Sequence, residues 1–354
     1  MSKYEYIYIS KKKPVGDVEL LGKILKEDFD KKLKIRAELS GKLKKTDLAK
    51  LLLNNNFQLQ YLNELYSIFK KYFYKPRHFN LVKKLLTGGV NFDDIYEFPK
   101  KVGDLFQYNI SSITEFYKYK YDMDPEFFNE LRDFVVPSVG KGEYLFGLFT
   151  KCKNLIDSNR GDLMYGKTVI EIKGYRGKTR GNSYTRSGGD AQKEIENILY
   201  AYDILDDTVV KKLKINSISH TMFSSNPLLI ENIINSKYKK IILEKIIHAF
   251  RLYNNITYKI STKDIERFEY ALRSQDKFKI SAFLLSIHLT YYILNEYHKK
   301  DLMFILFKKS YDEFFFCKTS KGINRNFEIF KDLKITLAGW GETPQDNSFG
   351  IQLL

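Results

Sequence analysis

Asp162 and Glu171 stand in the stretch GDLMYGKTVIEIKG, Gly161 to Gly174, with Lys173 close behind. Gly166-Lys167 reads as a two-residue hairpin turn, a loop length that commonly uses glycine. Pairing then runs Tyr165 with Thr168, Met164 with Val169, Leu163 with Ile170, and Asp162 with Glu171. Directly opposed side chains in an antiparallel pair lie roughly 5 Å apart at Cβ. The two-residue strand period puts Val169, Glu171 and Lys173 on one face, and Ile170 and Ile172 on the other. Like charges opposed across a sheet are destabilising, and burying them without partners costs more. Lys173 offsets part of that repulsion if the cluster is only a polar edge. The chemical alternative is a divalent cation: one or two carboxylates, completed by waters and a substrate phosphate, are what Mg²⁺ takes. A neighbouring lysine can then orient an attacking water or stabilise charge developing on phosphate. The register is decisive, because a one-residue slip sends Glu171 and Lys173 to the other face relative to Asp162.

The residues that follow give a phosphate a reason to be there. Lys173, Arg176, Lys178, Arg180 and Arg186 occur with no acid between Ile172 and Gly189. The glycines of GYRGKTRGNSYTRSGG let such a loop approach a phosphodiester backbone closely. The whole chain is basic: 59 Lys+Arg against 43 Asp+Glu give a formal charge of +16 over 354 residues. That excess points to a polyanionic partner, most often nucleic acid. The bland alternative is compositional drift in a sequence heavy in Lys, Ile, Asn, Tyr and Phe.

The elements that must position these residues can be read from periodicity. Residues 1–135 form a mostly helical, basic region after a strand-like start at Tyr4 to Ile9. Leu48, Leu51, Leu52, Leu59, Leu62, Leu65 and Phe69 make one helical stripe. Two short helices around Asn54-Asn55-Asn56 fit either a helix-turn-helix reader of DNA or an ordinary bundle. VPSVGKGE leads into a helix from Glu143 to about Ile156, buried through Leu145, Leu148, Phe149, Cys152, Leu155 and Ile156. After the hairpin and its loop, a helix is expected at Ala191 to Leu205. From about 210 to 300 the chain is again mostly helical. DLMFILFKK, EFFFCK and DLKITLAGW read as strands, with a last short strand in the tail.

Two cysteines far apart argue against a disulfide scaffold or a zinc module. The amino terminus lacks the apolar run of a signal peptide. FLLSIHLTYYIL is too short and too interrupted to span a bilayer. The expectation is a soluble protein without a membrane partner, in the cytoplasm. The five histidines show no metal spacing. His220 as a nucleophile activator ranks below a structural role, and His288, within an apolar helix, reads as a buried structural residue. Trp340 reads as a core or interface anchor rather than a base-stacking platform.

GD-x8-E-x-K after a helix bearing GKGE resembles the PD-(D/E)xK nuclease superfamily. The resemblance covers residues 137–190 directly and the remainder by topology. It implies an α/β fold with a restriction-endonuclease-like core, a central mixed sheet flanked by helices. To this the chain adds the helical N-terminal region, 1–135, for target recognition or partner binding. The nuclease domain would be 136–354, with a helical insertion at about 190–280. The resemblance also implies a Mg²⁺-dependent DNA endonuclease (Mn²⁺ a substitute), with Asp162 and Glu171 as metal ligands and the Ile172 carbonyl as a third. Lys173 would be the catalytic lysine and Glu143 the acid on the preceding helix. Gly161 stands where the motif often has proline. Arg176, Lys178, Arg180, Arg186 and Gln192 are the expected DNA contacts. The second core helix is either Ala191 to Leu205 or Ser281 to Lys299, of which the second leads into DLMFILFKK in the order the family uses. A homodimer suits double-strand cutting, and a phage or mobile-element origin fits the composition, with host cytoplasm or virion as the setting. The rival reading is a nucleic-acid-binding or virion structural protein on the same fold with little or no catalysis.

Overall fold

The computed structural model describes residue 68 and residues 90–98, 110–133, 141–150, 152–154, 161–174, 177–179, 187–205, 220–296, 302–338 and 349–354. The Leu48 to Phe69 stripe with its two readings, the strand-like start and Trp340 lie outside these residues. Among the described residues the first half carries α1 (Phe92–Tyr96), β1 (Ile110–Ser112), α2 (Ile113–Tyr121), α3 (Pro125–Asp133) and α4 (Lys141–Phe149). Four strands follow: β2 (Lys153–Asn154), β3 (Leu163–Tyr165), β4 (Thr168–Lys173) and β5 (Gly177–Thr179). Then come six helices: α5 (Gly188–Ala201), α6 (His220–Ser224), α7 (Pro227–Asn235), α8 (Lys239–Ala249), α9 (Thr262–Arg273) and α10 (Lys277–Glu296). The chain closes with β6 (Leu302–Phe307), β7 (Glu313–Lys318), α11 (Ile323–Phe330), β8 (Ile335–Ala338) and β9 (Phe349–Leu353). The architecture is α/β, a mixed sheet flanked by helices. Among the described residues no helix is long and apolar enough to cross a membrane.

The chain divides into two compact units, the first running to Ile172 with Ser310–Phe316, the second comprising Lys173–Lys309 and Cys317–Leu354. In the first, β2 pairs antiparallel with β3, and β3 with β4. β1 pairs antiparallel with the start of β7, Ile110 opposite Phe315. Asp312, in the turn before β7, accepts from Ser112 Oγ, Thr114 N and Thr114 Oγ1 at 3.1, 3.0 and 2.7 Å. Ser112 caps the same helix by accepting from Glu115 N. The first turn of α2 is thus held from a turn nearly two hundred residues away. Phe116, Tyr117, Phe127, Phe128 and Leu131 bury the facing sides of α2 and α3.

In the second unit α10 is buried on every side from Ile280 to Ile293. That is why its sequence reads apolar without a polar face. Phe283 stacks on Phe268 of α9 and meets Phe327 of α11 edge-on, at 4.8 and 5.6 Å between centroids. His288 is fully buried there, and desolvation pulls its pKa down to about 3, so the imidazole is neutral. Asn326, also fully buried, donates to Thr290 Oγ1 and Ser320 O and accepts from Ser320 N. β5, β9 and β8 form a separate antiparallel sheet, in that order.

Three expectations need correction. The helix at Glu143 starts at Lys141 and ends at Phe149 rather than near Ile156. At Thr150 the β-branched side chain turns its Oγ1 back onto Phe146 O at 2.5 Å and accepts from Cys152 N at 3.2 Å. Such local hydroxyl bonds compete with continued helix, and Thr150 instead bridges in parallel to Val90. The basic segment after the hairpin is not wholly loop, because Gly177–Thr179 is a strand whose amides and carbonyls pair with β9. The helix expected at Ala191 starts at Gly188, where Ser187 Oγ accepts from Asp190 N.

Asp264 is the polar keystone of the second unit. Fully buried, it accepts from Ser261 N and Oγ and Tyr258 OH at one oxygen, and from Asn324 N and Nδ2 at the other. It therefore caps α9 and secures the start of α11 together. We predict that Asp264→Ala lowers stability by about 3 kcal/mol, since each buried donor left without an acceptor costs about 1–3 kcal/mol. A urea-denaturation midpoint unchanged from wild type would show that this carboxylate is dispensable.

Candidate metal-binding hairpin

The hairpin forms because its turn and its strand agree. Gly166 has φ +58, the left-handed value that a two-residue turn with glycine at its first central position requires. Thr168, Val169, Ile170 and Ile172 are β-branched and suit a strand buried on both faces. The pairing is Tyr165 with Thr168, Met164 with Val169, and Leu163 with Ile170, the register that the turn assignment predicts.

At Asp162 the ladder changes. Asp162 N–H donates to Ile170 O at 3.0 Å, although Ile170 is already the partner of Leu163. Residues 162 and 163 therefore both face Ile170, the two-against-one arrangement of a β-bulge. A regular ladder would offer Ile172 N–H the carbonyl of Gly161. Instead the Asp162 carboxylate accepts it, Oδ2 to N at 2.6 Å. The simple opposition of Asp162 to Glu171 is thus replaced by a carboxylate held against the backbone between Glu171 and Lys173. Gly161 has φ +91. Proline, locked near −65°, cannot adopt that value, so a glycine suits this position beside the bulge.

Glu171 lies in the middle of the buried run of β4 and is 4% exposed; Ile172 is also buried and Lys173 half-buried. Glu171 and Lys173 share one face of β4 by strand alternation. Glu143 occupies the first turn of α4 and is half-buried. Lys178 lies on β5 opposite Gly350. Gln192 is on α5, where its Nε2 donates to Glu196 Oε1 at 3.0 Å. Arg176, Arg180 and Arg186 lie outside the described residues.

Tyr165 anchors the hairpin, a role the sequence did not announce. Its hydroxyl donates to Asp93 Oδ2 at 2.7 Å and lies within hydrogen-bond distance of the Asn91 side-chain amide. Its ring lies 5.4 Å from that of Phe92, which in turn meets Phe146 of α4 at 5.9 Å. The FDDIY segment of α1 thereby ties β3 to α4. The only available signal was the run of acids beside an aromatic in NFDDIY, too common to single out.

Among the described residues no group of three His, Cys, Asp or Glu side chains is placed to hold a metal ion. Mg²⁺ keeps several waters and is commonly bound through one or two carboxylates; the carboxylates present here are Asp162, bonded to Ile172 N, and Glu171, the residue before it. In comparisons with known proteins, no family model, curated protein or solved structure matches this chain.

The Tyr165 pKa is pushed up to about 12, first by desolvation and then by its bond to Asp93. A phenol whose folded pKa exceeds the ordinary value near 10 contributes stability that is complete below pH 10. That contribution is lost as pH rises through about 12. We predict that Tyr165→Phe costs about 1 kcal/mol at neutral pH and flattens the fall of stability between about pH 10 and 12. Thermal denaturation across that range checks both, and wild-type and variant curves of the same shape would contradict the assignment.

Proposed function

We propose that the chain is a metal-dependent DNA endonuclease with a PD-(D/E)xK site on a restriction-endonuclease-like core. The observation that carries the reading is the bulged hairpin. It sets the Asp162 carboxylate 2.6 Å from the Ile172 amide, between buried Glu171 and Lys173 on one strand. Bulges are over-represented beside active sites because they re-aim a side chain. Asp162 and Glu171 would hold Mg²⁺, or Mn²⁺ in its place, with the Ile172 carbonyl available as a neutral third ligand. When bound, the ion supplies Lewis-acid stabilisation of charge on the phosphate oxygens.

The chain's own residues do the rest. Lys173 carries an ammonium that hydrogen-bonds and orients the attacking water. Water adds to phosphorus and passes its proton to bulk water, and the bond from phosphorus to the departing sugar oxygen breaks as that oxygen takes a proton from bulk water. Glu143, in the first turn of α4, is the accessory acid of the site. Arg176, Lys178, Arg180, Arg186 and Gln192 contribute the DNA contacts, and the basic region 1–135 contributes target recognition. DNA is the partner, a homodimer accounts for cutting both strands, and the setting is intracellular, in a host cytoplasm or virion if phage-encoded.

One observation favours a second reading. Asp162 already serves the backbone as an acceptor for Ile172 N–H, which is a structural use of the residue. A nucleic-acid-binding or virion structural protein with little catalysis would keep it for that reason alone. Asp162→Asn separates the two, because an amide oxygen can still accept that bond while the metal-binding charge is lost. We predict that Asp162→Asn and Lys173→Ala each lower Mg²⁺-dependent cleavage of linear and circular DNA by about 10²–10³-fold. Asp162→Asn should leave the melting temperature nearly unchanged. Cleavage that persists in both variants would sink the site; salt-sensitive binding without any cleavage would establish the second reading.

A further inference from the structure

A cleft of about 790 Å³ opens in the second unit, away from any role given above, with α5 on one side and α8 with the segment after it on the other. Its volume lies within the usual range of roughly 300–1,000 Å³ for small-molecule sites. Glu194, Asn197 and Ala201 face it from α5 at helical spacing, and Lys245, His248 and Arg251 from the opposite side at intervals of three. Arg251 Nη1 donates to Glu194 Oε1 and to His248 O, both at 2.9 Å. Those two bonds fix the guanidinium plane and leave its Nε and Nη2 donors for another acceptor. Lys245 is exposed and has no carboxylate partner among the described residues. With burial holding His248 below its ordinary pKa, the charged lining sums to one excess cation, from Lys245 and Arg251 against Glu194.

Tyr291 of α10 is the second, independent pointer. The residue is fully buried, it lines the cleft, and its hydroxyl has no hydrogen-bond partner among the described residues. A buried donor without a partner is costly, and each such group calls for an explanation. A ligand acceptor or a ligand-bound water within the cleft provides one. Tyr202 adds an aromatic wall, Ile198 and Ile256 add apolar surface, and Asn197 and Asn254 add two amides that both donate and accept.

We infer that this cleft binds a nucleoside phosphate, its phosphate on Lys245 and the spare Arg251 donors, its base against Tyr202 and within reach of the two asparagine amides. An aromatic wall beside paired amides and an excess cation matches a planar heterocycle carrying an anion. Inorganic phosphate would use only the cationic part. The inference stands apart from the hairpin chemistry.

Isothermal titration calorimetry on the full chain without divalent metal tests it, using the four nucleoside 5′-monophosphates, adenosine and inorganic phosphate as probes. At least one monophosphate is expected to bind, about tenfold or more tighter than adenosine and than phosphate. Lys245→Ala, at an exposed position, and Tyr291→Phe, which keeps the ring, are the two variants; weakening of about tenfold in either places the ligand in the cleft. Asp162→Asn should bind as wild type does, which separates failure here from failure of the nuclease reading. Absence of binding by all four monophosphates overturns the inference. So does phosphate binding as tightly as a monophosphate, or affinity unchanged in both variants.

Discussion

A buried strand must find a partner for every backbone amide, and at Ile172 that requirement is met by a side chain. The bulge at Asp162 and Leu163 takes the Gly161 carbonyl out of the ladder, and Asp162 Oδ2 takes its place at 2.6 Å. An unsatisfied buried N–H costs as much as a lost hydrogen bond, so the carboxylate cannot swing away without penalty. Much of the local geometry follows from this one contact. It fixes where Asp162 sits on the backbone beside Glu171, next to a Gly161 at φ +91, where the regular hairpin ends at Leu163. On the proposed reading, the residue that would bind the metal ion is also a structural strut, and the two uses are compatible because a carboxylate has two oxygens and several lone pairs.

The same device recurs where elements distant in sequence meet. Asp312 holds the first turn of α2, Asp264 joins α9 to α11, and Asn326 links α11 to α10 and to Ser320. Each is a short polar side chain replacing backbone partners at a junction, where helix ends leave amides without acceptors. Apolar packing supplies bulk around these points, as in the Phe268, Phe283 and Phe327 cluster. It does not specify direction, and the hydrogen-bonded junctions do. Tyr165 with Asn91 and Asp93 plays the corresponding part for the hairpin.

Electrostatics divides along similar lines. Desolvation keeps His288 neutral and raises the Cys317 thiol well above its ordinary range, so neither is set up for acid–base or nucleophilic work. Both cysteines are buried and outside any disulfide. Charge facing the cleft lies elsewhere, on its Lys245 and Arg251 side.

Local sequence determined much of what a short window can fix. The glycine turn set the register of β3 against β4, β-branched and aromatic runs marked β6 and β7, and the apolar stretch around His288 marked α10. It also marked Asp162, Glu171 and Lys173 as residues worth a chemical reading, because two carboxylates opposed across a hairpin repel unless something offsets them. What it could not supply were the bulge, the helix stop at Thr150, the strand at Gly177–Thr179 and the Tyr165 anchor. Each depends on a partner from another part of the chain, such as β9 for β5 and Asn91 for Tyr165, or on a side chain competing with its own backbone. Periodicity encodes which face is apolar; only the assembled structure decides which acceptor each buried amide finds, and so where the carboxylates are held.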